Sequence, residues 1–241
     1  MEDHLERFVN SCAALELTPP CDPTELERRI LALLYANEAR LSGVSLYLTG
    51  GYSEDGFTPG TPNLIMLETP REPYPRAIYQ NGAKVITHLH MRELAHAKTT
   101  DYLTAVRLNA RMKAAGATEV IFKTATQVLE GARAGLGVVL PSGVIVCPME
   151  DVLESVTMHR ALRLARAFTR VQRRAISAEE FQTAPELFLT SATRGVMPVT
   201  TVDDRAVGNG RVGATVTRLM HALETHTAQY VTERQSTRTS S

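Results

Sequence analysis

The sequence lacks an excess of charge of either sign. Lys and Arg together number 26, Asp and Glu also number 26, and the formal net charge is zero. Nucleic-acid binding normally requires a concentrated positive surface. No basic stretch stands out, so we expect no nucleic-acid partner. The sequence also has no apolar run long enough to span a bilayer, which argues against a membrane protein.

Cysteine is also scarce. Cys12, Cys21 and Cys147 are odd in number, lack paired spacing and come without the pattern of a signal peptide. A disulfide framework would normally use an even, regularly spaced set in an oxidising compartment. We therefore expect reduced thiols and a cytoplasmic location.

Hydrophobic residues make up 44% of the 241 residues, which is sufficient for the core of one or two domains. Helices and strands are predicted without strict β–α–β alternation, and this mixture is typical of the α+β class. A proline-rich segment at 69–77 has the stiffness expected of an interdomain connector. The predicted organisation is a small N-terminal domain at 1–68, a linker at 69–77 and a large domain at 78–241.

The spacing of apolar residues predicts the individual elements. Helices are predicted at 2–17, 24–39, 100–115, 157–168 and 211–224. Strands are predicted at 44–49, 63–68, 84–90, 119–123, 136–140, 144–147, 186–190 and 196–202. Asp22 is the expected N-cap of the second helix, with Pro23 in its first turn.

Lys98 and Glu130 are the two residues whose chemistry is most specific when they are taken together. Lys98 follows a predicted strand, and Glu130 lies in the dipeptide Glu130-Gly131. Pyridoxal-phosphate enzymes need a lysine that holds the cofactor aldehyde as a Schiff base. They also need an acid that keeps the pyridine nitrogen protonated, so that the ring can accept electrons.

The stretch 98–103 resembles the Lys-Thr-x-Asn-Tyr-Leu signature of class IV (fold type IV) aminotransferases, with Asp101 in place of the asparagine. The resemblance covers nearly the whole chain. It implies a small α/β domain and a larger pseudo-barrel domain that carries the lysine. It also implies that Lys98 is the Schiff-base residue and proton carrier, that Tyr102 lies near the ring oxygen of the cofactor, and that Glu130 contacts the pyridine nitrogen.

A first phosphate-binding turn is implied by Leu153–Thr157, which resembles the family pattern Leu-x-Gly-(Ile/Val)-Thr-Arg. Val156 and Thr157 match the residues whose amides and hydroxyl hold the phosphate. Ser155 replaces the glycine of the pattern, and Met158 replaces its arginine. A helix N-terminus at this point would supply the backbone N–H groups that a phosphate needs.

Two further stretches are implied to contact the phosphate. The turn within 190–199 resembles the second phosphate loop of the family, where Thr193 would supply a hydroxyl. Asp3–Phe8 resembles the family motif Glu-His-x-x-Arg-Leu, so Arg7 would be the phosphate-binding cation. The family places strands ahead of this motif, whereas this sequence starts at Met1. The resemblance therefore implies a small domain without its first strands.

Other positions depart from the family or leave its chemistry open. The family's Ser-Ser-Asn-(Val/Ile)-Phe is replaced by Ala-Arg-Ala-Gly-Leu-Gly at 132–137, without the asparagine and the aromatic residue. Gly50 stands where D-amino-acid transaminases carry an arginine for the substrate carboxylate, which argues against strict D-alanine specificity. Arg92 is a candidate pocket residue. The histidines between 88 and 96 lack a carboxylate or cysteine partner, so we expect no metal site.

The resemblance implies pyridoxal-phosphate-dependent transamination between an amino acid and a 2-oxo acid in a homodimer. One alternative is an aminodeoxychorismate lyase-like enzyme, which would share Lys98 and Glu130. The other is a member of the fold without activity. The altered residues at 135, 137, 155 and 158 and the missing strands support that second alternative.

Overall fold

The computed structural model describes residues 1–37 and 41–239, and it describes side chains as far as residue 234. Over these residues the chain forms seven helices and twelve strands. The helices are α1 (Glu2–Ala14), α2 (Pro23–Ala36), α3 (Arg76–Asn81), α4 (Leu103–Ala114), α5 (Val156–Ala165), α6 (Ala178–Thr183) and α7 (Ala214–Thr239). The strands are β1 (Ser42–Thr49), β2 (Asn63–Pro70), β3 (Ala83–Leu89), β4 (Glu119–Lys123), β5 (Gln127–Gly131), β6 (Gly135–Val139), β7 (Ile145–Cys147), β8 (Val171–Arg173), β9 (Ile176–Ser177), β10 (Glu186–Ser191), β11 (Gly195–Val202) and β12 (Arg205–Ala206).

Contacts within the chain divide it into two compact units. The smaller unit contains Met1–Pro73 together with Ala97–Thr100. The larger unit contains Tyr74–His96 and the chain from Asp101 onward. The segment with Lys98 therefore makes its contacts in the smaller unit. The predicted linker at 69–77 and the domain boundaries on either side of it stay predictions.

The smaller unit packs α1 and α2 with an antiparallel ribbon of β1 and β2. Leu5, Leu26 and Ile30 are its buried core residues. The ribbon contributes alternate residues to this core because successive side chains of a strand point to opposite faces. The predicted start of the second helix is confirmed: Asp22 Oδ1 accepts the N–H groups of Thr24 (2.8 Å) and Glu25 (3.0 Å).

The larger unit is built on a mixed ten-stranded sheet in the order β8-β7-β6-β10-β11-β3-β4-β5-β9, with β12 paired to β11. The pairs β11/β3, β3/β4 and β7/β8 are parallel, and the others are antiparallel. Side chains of β10 alternate between two hydrophobic clusters: Leu187 and Leu189 lie in one, and Phe188 lies in the other. Helices α5 and α7 cover the Phe188 cluster. This arrangement confirms the α+β class.

The structure corrects three predicted elements. Helix α4 begins at Leu103 rather than at residue 100, so Lys98 and Asp101 lie ahead of the helix. Strand β5 was not predicted, because four of its five residues are buried and such a strand shows no alternation. Helix α7 continues to Thr239 instead of ending near residue 224.

The second half of α7 escaped prediction because it lacks an apolar stripe. Thr227 and Thr232 donate their hydroxyl hydrogens to carbonyls one turn earlier, at 2.8 and 3.0 Å. These bonds satisfy threonine hydroxyls within a helix, but they leave no periodic hydrophobic signal. Among the described residues, no helix is long and apolar enough to cross a membrane.

Candidate active site

Lys98 lies in a non-helical segment of the smaller unit and exposes its side chain. Its backbone N–H donates to Ser11 Oγ at 3.0 Å, and the Ser11 hydroxyl donates to the Arg7 carbonyl at 2.8 Å. Ser11 is only 6% exposed. One buried hydroxyl therefore ties the backbone of Lys98 to α1, the helix that carries Arg7.

Sequence reasoning missed Ser11. The only local signal is a serine next to Cys12, on the apolar face of an amphipathic helix. A polar residue on a buried face normally has a hydrogen-bond partner. That rule could have marked Ser11 as a residue with a partner, although it could not have named Lys98.

Arg7 lies beside a second polar side chain of α1. Arg7 Nη2 is 3.5 Å from His4 Nδ1. Burial, and after it the charge of Arg7, lowers the pKa of His4 to about 4. His4 is therefore neutral at neutral pH, and the positive charge of this pair belongs to Arg7.

Glu130 is a buried carboxylate of the larger unit, 6% exposed. Its Oε1 accepts Arg92 Nε at 2.8 Å and Arg92 Nη2 at 2.7 Å, and its Oε2 accepts the N–H of Leu153 at 3.1 Å. Arg92 Nη2 also donates to the carbonyl of Ala95 at 2.6 Å. The candidate pocket residue Arg92 is thus the partner of Glu130, and the pair fixes the orientation of the carboxylate.

Helix α5 begins at Val156, one residue earlier than predicted, and Ser155 is its N-cap. Ser155 Oγ accepts the N–H of Met158 at 3.2 Å. The N–H groups of Val156 and Thr157 belong to the first helical turn, where no carbonyl of the helix can accept them. Together with the positive end of the helix dipole, they suit an anion.

The two implied phosphate stretches of the larger unit meet through their hydroxyl groups. Ser155 Oγ lies 3.4 Å from Thr190 Oγ1, at the end of β10. Thr193 follows in the turn between β10 and β11, where its side chain is exposed and its Oγ1 lies 3.4 Å from Ser191 Oγ. The structure therefore brings the N-terminus of α5 next to the strand that leads into the Thr193 turn.

Tyr102 occupies the N-cap position of α4 in the larger unit. Its carbonyl accepts the N–H of Val106 at 2.8 Å, which is the first bond of that helix. Asp101, which stands in place of the family asparagine, accepts the N–H of Leu103 at 3.4 Å. The substitution therefore preserves a capping acceptor at the start of α4.

A cavity of about 110 Å³ lies beside Glu130 in the larger unit. Ser155, Met158 and Cys147 are among the residues that line it, whereas Thr157 and Thr193 are not. Burial raises the pKa of Cys147 to about 11. This thiol is therefore protonated and unreactive at neutral pH.

Comparison with known proteins identifies the family. Residues 1–202 match the profile of the family described as amino-transferase class IV. The chain belongs to this family. It is 26% identical over 230 residues to the D-alanine aminotransferase of Bacillus licheniformis, covering 93% of this chain and 81% of that enzyme. The family comprises pyridoxal-phosphate-dependent enzymes, so the predicted enzyme class and cofactor are confirmed.

Solved structures confirm the fold. A branched-chain amino acid aminotransferase from the organism abbreviated T.th., solved with pyridoxamine 5'-phosphate, has a TM-score of 0.84 at 25% identity, covering 92% of this chain and 77% of that one. A Legionella pneumophila protein provisionally assigned as a 4-amino-4-deoxychorismate lyase has a TM-score of 0.83 at 18% identity, covering 93% of this chain and 84% of that one. The second likeness concerns the fold alone.

The larger unit carries groups that suit two ends of pyridoxal phosphate. The N–H groups of Val156 and Thr157 at the positive end of α5 match the needs of a phosphate. Glu130, held by Arg92 and the Leu153 N–H, offers a fixed carboxylate of the kind that pairs with a protonated pyridine nitrogen. These residues fit the cofactor of the family.

Proposed function

We propose that this class IV aminotransferase transfers an amino group between an amino acid and a 2-oxo acid, with Lys98 as the amine that binds the cofactor aldehyde. The observation that supports this most directly is the fixed carboxylate of Glu130. Its salt bridge with Arg92 joins side chains that are 11% (Arg92) and 7% (Glu130) exposed. A buried, oriented acid of this kind has a clear use at a pyridine nitrogen.

Each residue has a distinct part in the proposed reaction. Pyridoxal phosphate, when bound, supplies the electron sink that stabilises negative charge at the substrate Cα. Lys98 Nζ, once displaced by the substrate amine, takes the proton from Cα and delivers it to the carbon of the former aldehyde. Glu130 holds the proton on the pyridine nitrogen.

The remaining residues bind and orient. Arg7 supplies a cation for the phosphate, and Val156, Thr157 and Thr193 supply N–H groups and hydroxyls. Tyr102 lies near the ring oxygen in this proposal. Binding of this kind contributes to rate by holding the reacting atoms in position.

The amino donor is proposed to be broader than D-alanine alone. Gly50 follows β1 at the position where D-amino-acid transaminases carry a carboxylate-binding arginine. A glycine offers no cation for that carboxylate. A panel of L- and D-amino acids with several 2-oxo acids measures this specificity, and turnover confined to D-alanine would refute it.

We also propose a homodimer. The segment 89–106 exposes five apolar side chains, among them Leu103 (70%) and Val106 (68%) of the larger unit. An exposed apolar surface of this kind commonly marks a protein interface. Light scattering should give twice the chain mass, and Leu103→Glu with Val106→Glu should give a monomer. Tyr52→Glu, at a residue that is 92% exposed, is the matched control.

The cytoplasmic location is a further part of the proposal, supported by the odd number and irregular spacing of the cysteines. Measurement of the free thiols in protein isolated from its native cells tests it. Three free thiols per chain are expected, and a native disulfide would contradict the proposal.

The test of the proposed activity has two arms. Purified protein loaded with pyridoxal phosphate is assayed for amino transfer to 2-oxo acids and, separately, for pyruvate release from aminodeoxychorismate. Amino transfer with multiple turnovers supports the proposal. Pyruvate release without amino transfer would instead establish the lyase alternative, and a loaded protein inactive in both arms would support the inactive one.

A further inference from the structure

Arg194 and Glu119 form a buried ion pair in the larger unit. Their side chains are 3% and 1% exposed, and Arg194 Nη1 donates to Glu119 Oε2 at 2.5 Å. Arg194 Nε donates to Tyr74 Oη at 3.1 Å, and the Tyr79 hydroxyl donates to the Arg194 carbonyl at 2.9 Å. Neither charged residue has a part in the chemistry proposed above.

The pair has no evident advantage for stability alone. Removing two charges from water costs free energy that their mutual attraction only partly recovers. Well-packed apolar residues of similar volume often serve equally well or better in such a place. A buried ion pair instead imposes a defined geometry, because its hydrogen bonds are met in one arrangement only.

That geometry joins two parts of the proposed cofactor site. Arg194 closes the turn that presents Thr193, and its N–H lies 3.2 Å from both the carbonyl and the hydroxyl oxygen of Ser191. On the other side, Glu119 Cγ lies under Gly131, where an added Cβ would be only 3.1 Å away. Gly131 directly follows Glu130 in β5. The ion pair therefore lies between the Thr193 turn and the strand of Glu130.

We infer that Arg194 is a positioning residue that, through Glu119, sets the Thr193 turn at a fixed distance from Glu130. This inference rests on the proposed function, in which Thr193 binds the phosphate and Glu130 binds the pyridine nitrogen. Loss of the pair should therefore weaken the phosphate contact specifically. It should leave contacts to the ring largely unchanged.

The test compares two ligands that differ only in the phosphate. Full-length protein freed of cofactor is titrated with pyridoxal phosphate and with pyridoxal, and the ratio of the two dissociation constants is measured. The main variant is Arg194→Met with Glu119→Leu, which leaves no buried charge unpaired. Affinity for pyridoxal phosphate should fall by about tenfold, the equivalent of one hydrogen bond to a charged group. Affinity for pyridoxal should stay within about twofold.

Melting temperature separates this role from a purely structural one. We expect the double variant to melt close to the wild-type protein while its ligand ratio falls. Glu119→Gln, which keeps the shape of the side chain, is a second variant and should lower the ratio in the same direction. The matched control is Arg174→Met with Glu180→Leu, which removes another ion pair of the larger unit (2.6 Å) and should leave the ratio unchanged.

The outcomes distinguish this inference from the proposed function. A wild-type protein that binds both ligands equally well would overturn the phosphate site and this inference with it. A wild-type preference for pyridoxal phosphate that persists in the double variant and in Glu119→Gln would overturn the inference alone. An equal fall of the ratio in the control pair would also overturn it, because the effect would then not be specific to Arg194.

Discussion

Phe188 lies directly opposite Gly137 on the neighbouring strand, and its ring occupies the space that a side chain at 137 would need. A Cβ at 137 would stand 2.2 Å from the ring. The family motif ends in an aromatic residue at this place, and here the aromatic comes from β10 instead. The altered motif therefore has a filled core, which counts against regarding its glycine as a sign of lost function.

Gly135 and Ser155 show the same kind of compensation. A Cβ at 135 would lie 3.0 Å from Thr190 Oγ1 and 3.2 Å from Ser155 Cβ. The serine that replaces the family glycine at 155 is thus accommodated because residue 135 has no side chain. Two departures that look independent in the sequence are coupled in space.

This coupling predicts a double-mutant cycle. Gly135→Ala should destabilise the protein by about 1–3 kcal/mol, because it overpacks a closed site. Ser155→Gly alone should cost only a few tenths of a kcal/mol through the altered N-cap. The two changes together should cost less than their sum, since the glycine at 155 makes room for the new methyl group. Chemical denaturation measures all three variants, and strict additivity would contradict the coupling.

Lys98 is predicted to carry the cofactor. Borohydride reduction of the loaded protein followed by peptide mapping should place the pyridoxyl group on Lys98. Lys98→Ala should lower turnover by about 10²–10⁴-fold or more, because a positioned proton carrier is lost together with the amine. Lys113→Ala, at an exposed lysine near the end of α4, is the control and should keep its activity. Label on Lys113 or Lys123 would show that another lysine binds the aldehyde.

Glu130 and Arg92 are predicted to have separable effects. Glu130→Gln should still bind the cofactor but turn over far more slowly, because the neutral amide cannot keep the pyridine nitrogen protonated. Arg92→Met should destabilise the protein by about 3 kcal/mol, since it leaves a buried carboxylate without its cation. Arg92→Lys, which retains the charge, should recover part of that loss. Melting curves and turnover numbers separate the two effects, and unchanged turnover in Glu130→Gln would place the acid elsewhere.

The sequence was sufficient for residue types but not for their partners. Lys98 and Glu130 are recognisable from the residues next to them, and the start of α2 is recognisable because its cap is local. Ser11 is 87 residues from Lys98 in sequence, and Arg92 is 38 residues from Glu130. Such contacts are set by tertiary packing, which the spacing of one sequence does not encode. For the same reason the exchange of volume between Gly137 and Phe188 looked like a simple loss.

Ser11 is predicted to hold the backbone of Lys98, and hydrogen exchange tests this directly. Ser11→Ala removes the acceptor at 3.0 Å from the Lys98 N–H, so exchange at that amide should accelerate. Exchange in β3, which precedes the segment, should not change. The substitution should also cost about 1–3 kcal/mol, because it leaves a donor without its partner in a buried position.

The hydroxyl, rather than the volume of the side chain, is the expected cause of this effect. Ser11→Thr retains the hydroxyl and should keep the slow exchange at Lys98, whereas Ser11→Cys retains the approximate shape and should not. Ser53→Ala removes an exposed hydroxyl that is bonded only to Asp55 among its described contacts, and it serves as the control. If Ser11→Ala leaves exchange at Lys98 as slow as in the wild-type protein, the lysine is held by other contacts. In that case its turnover should also be unchanged.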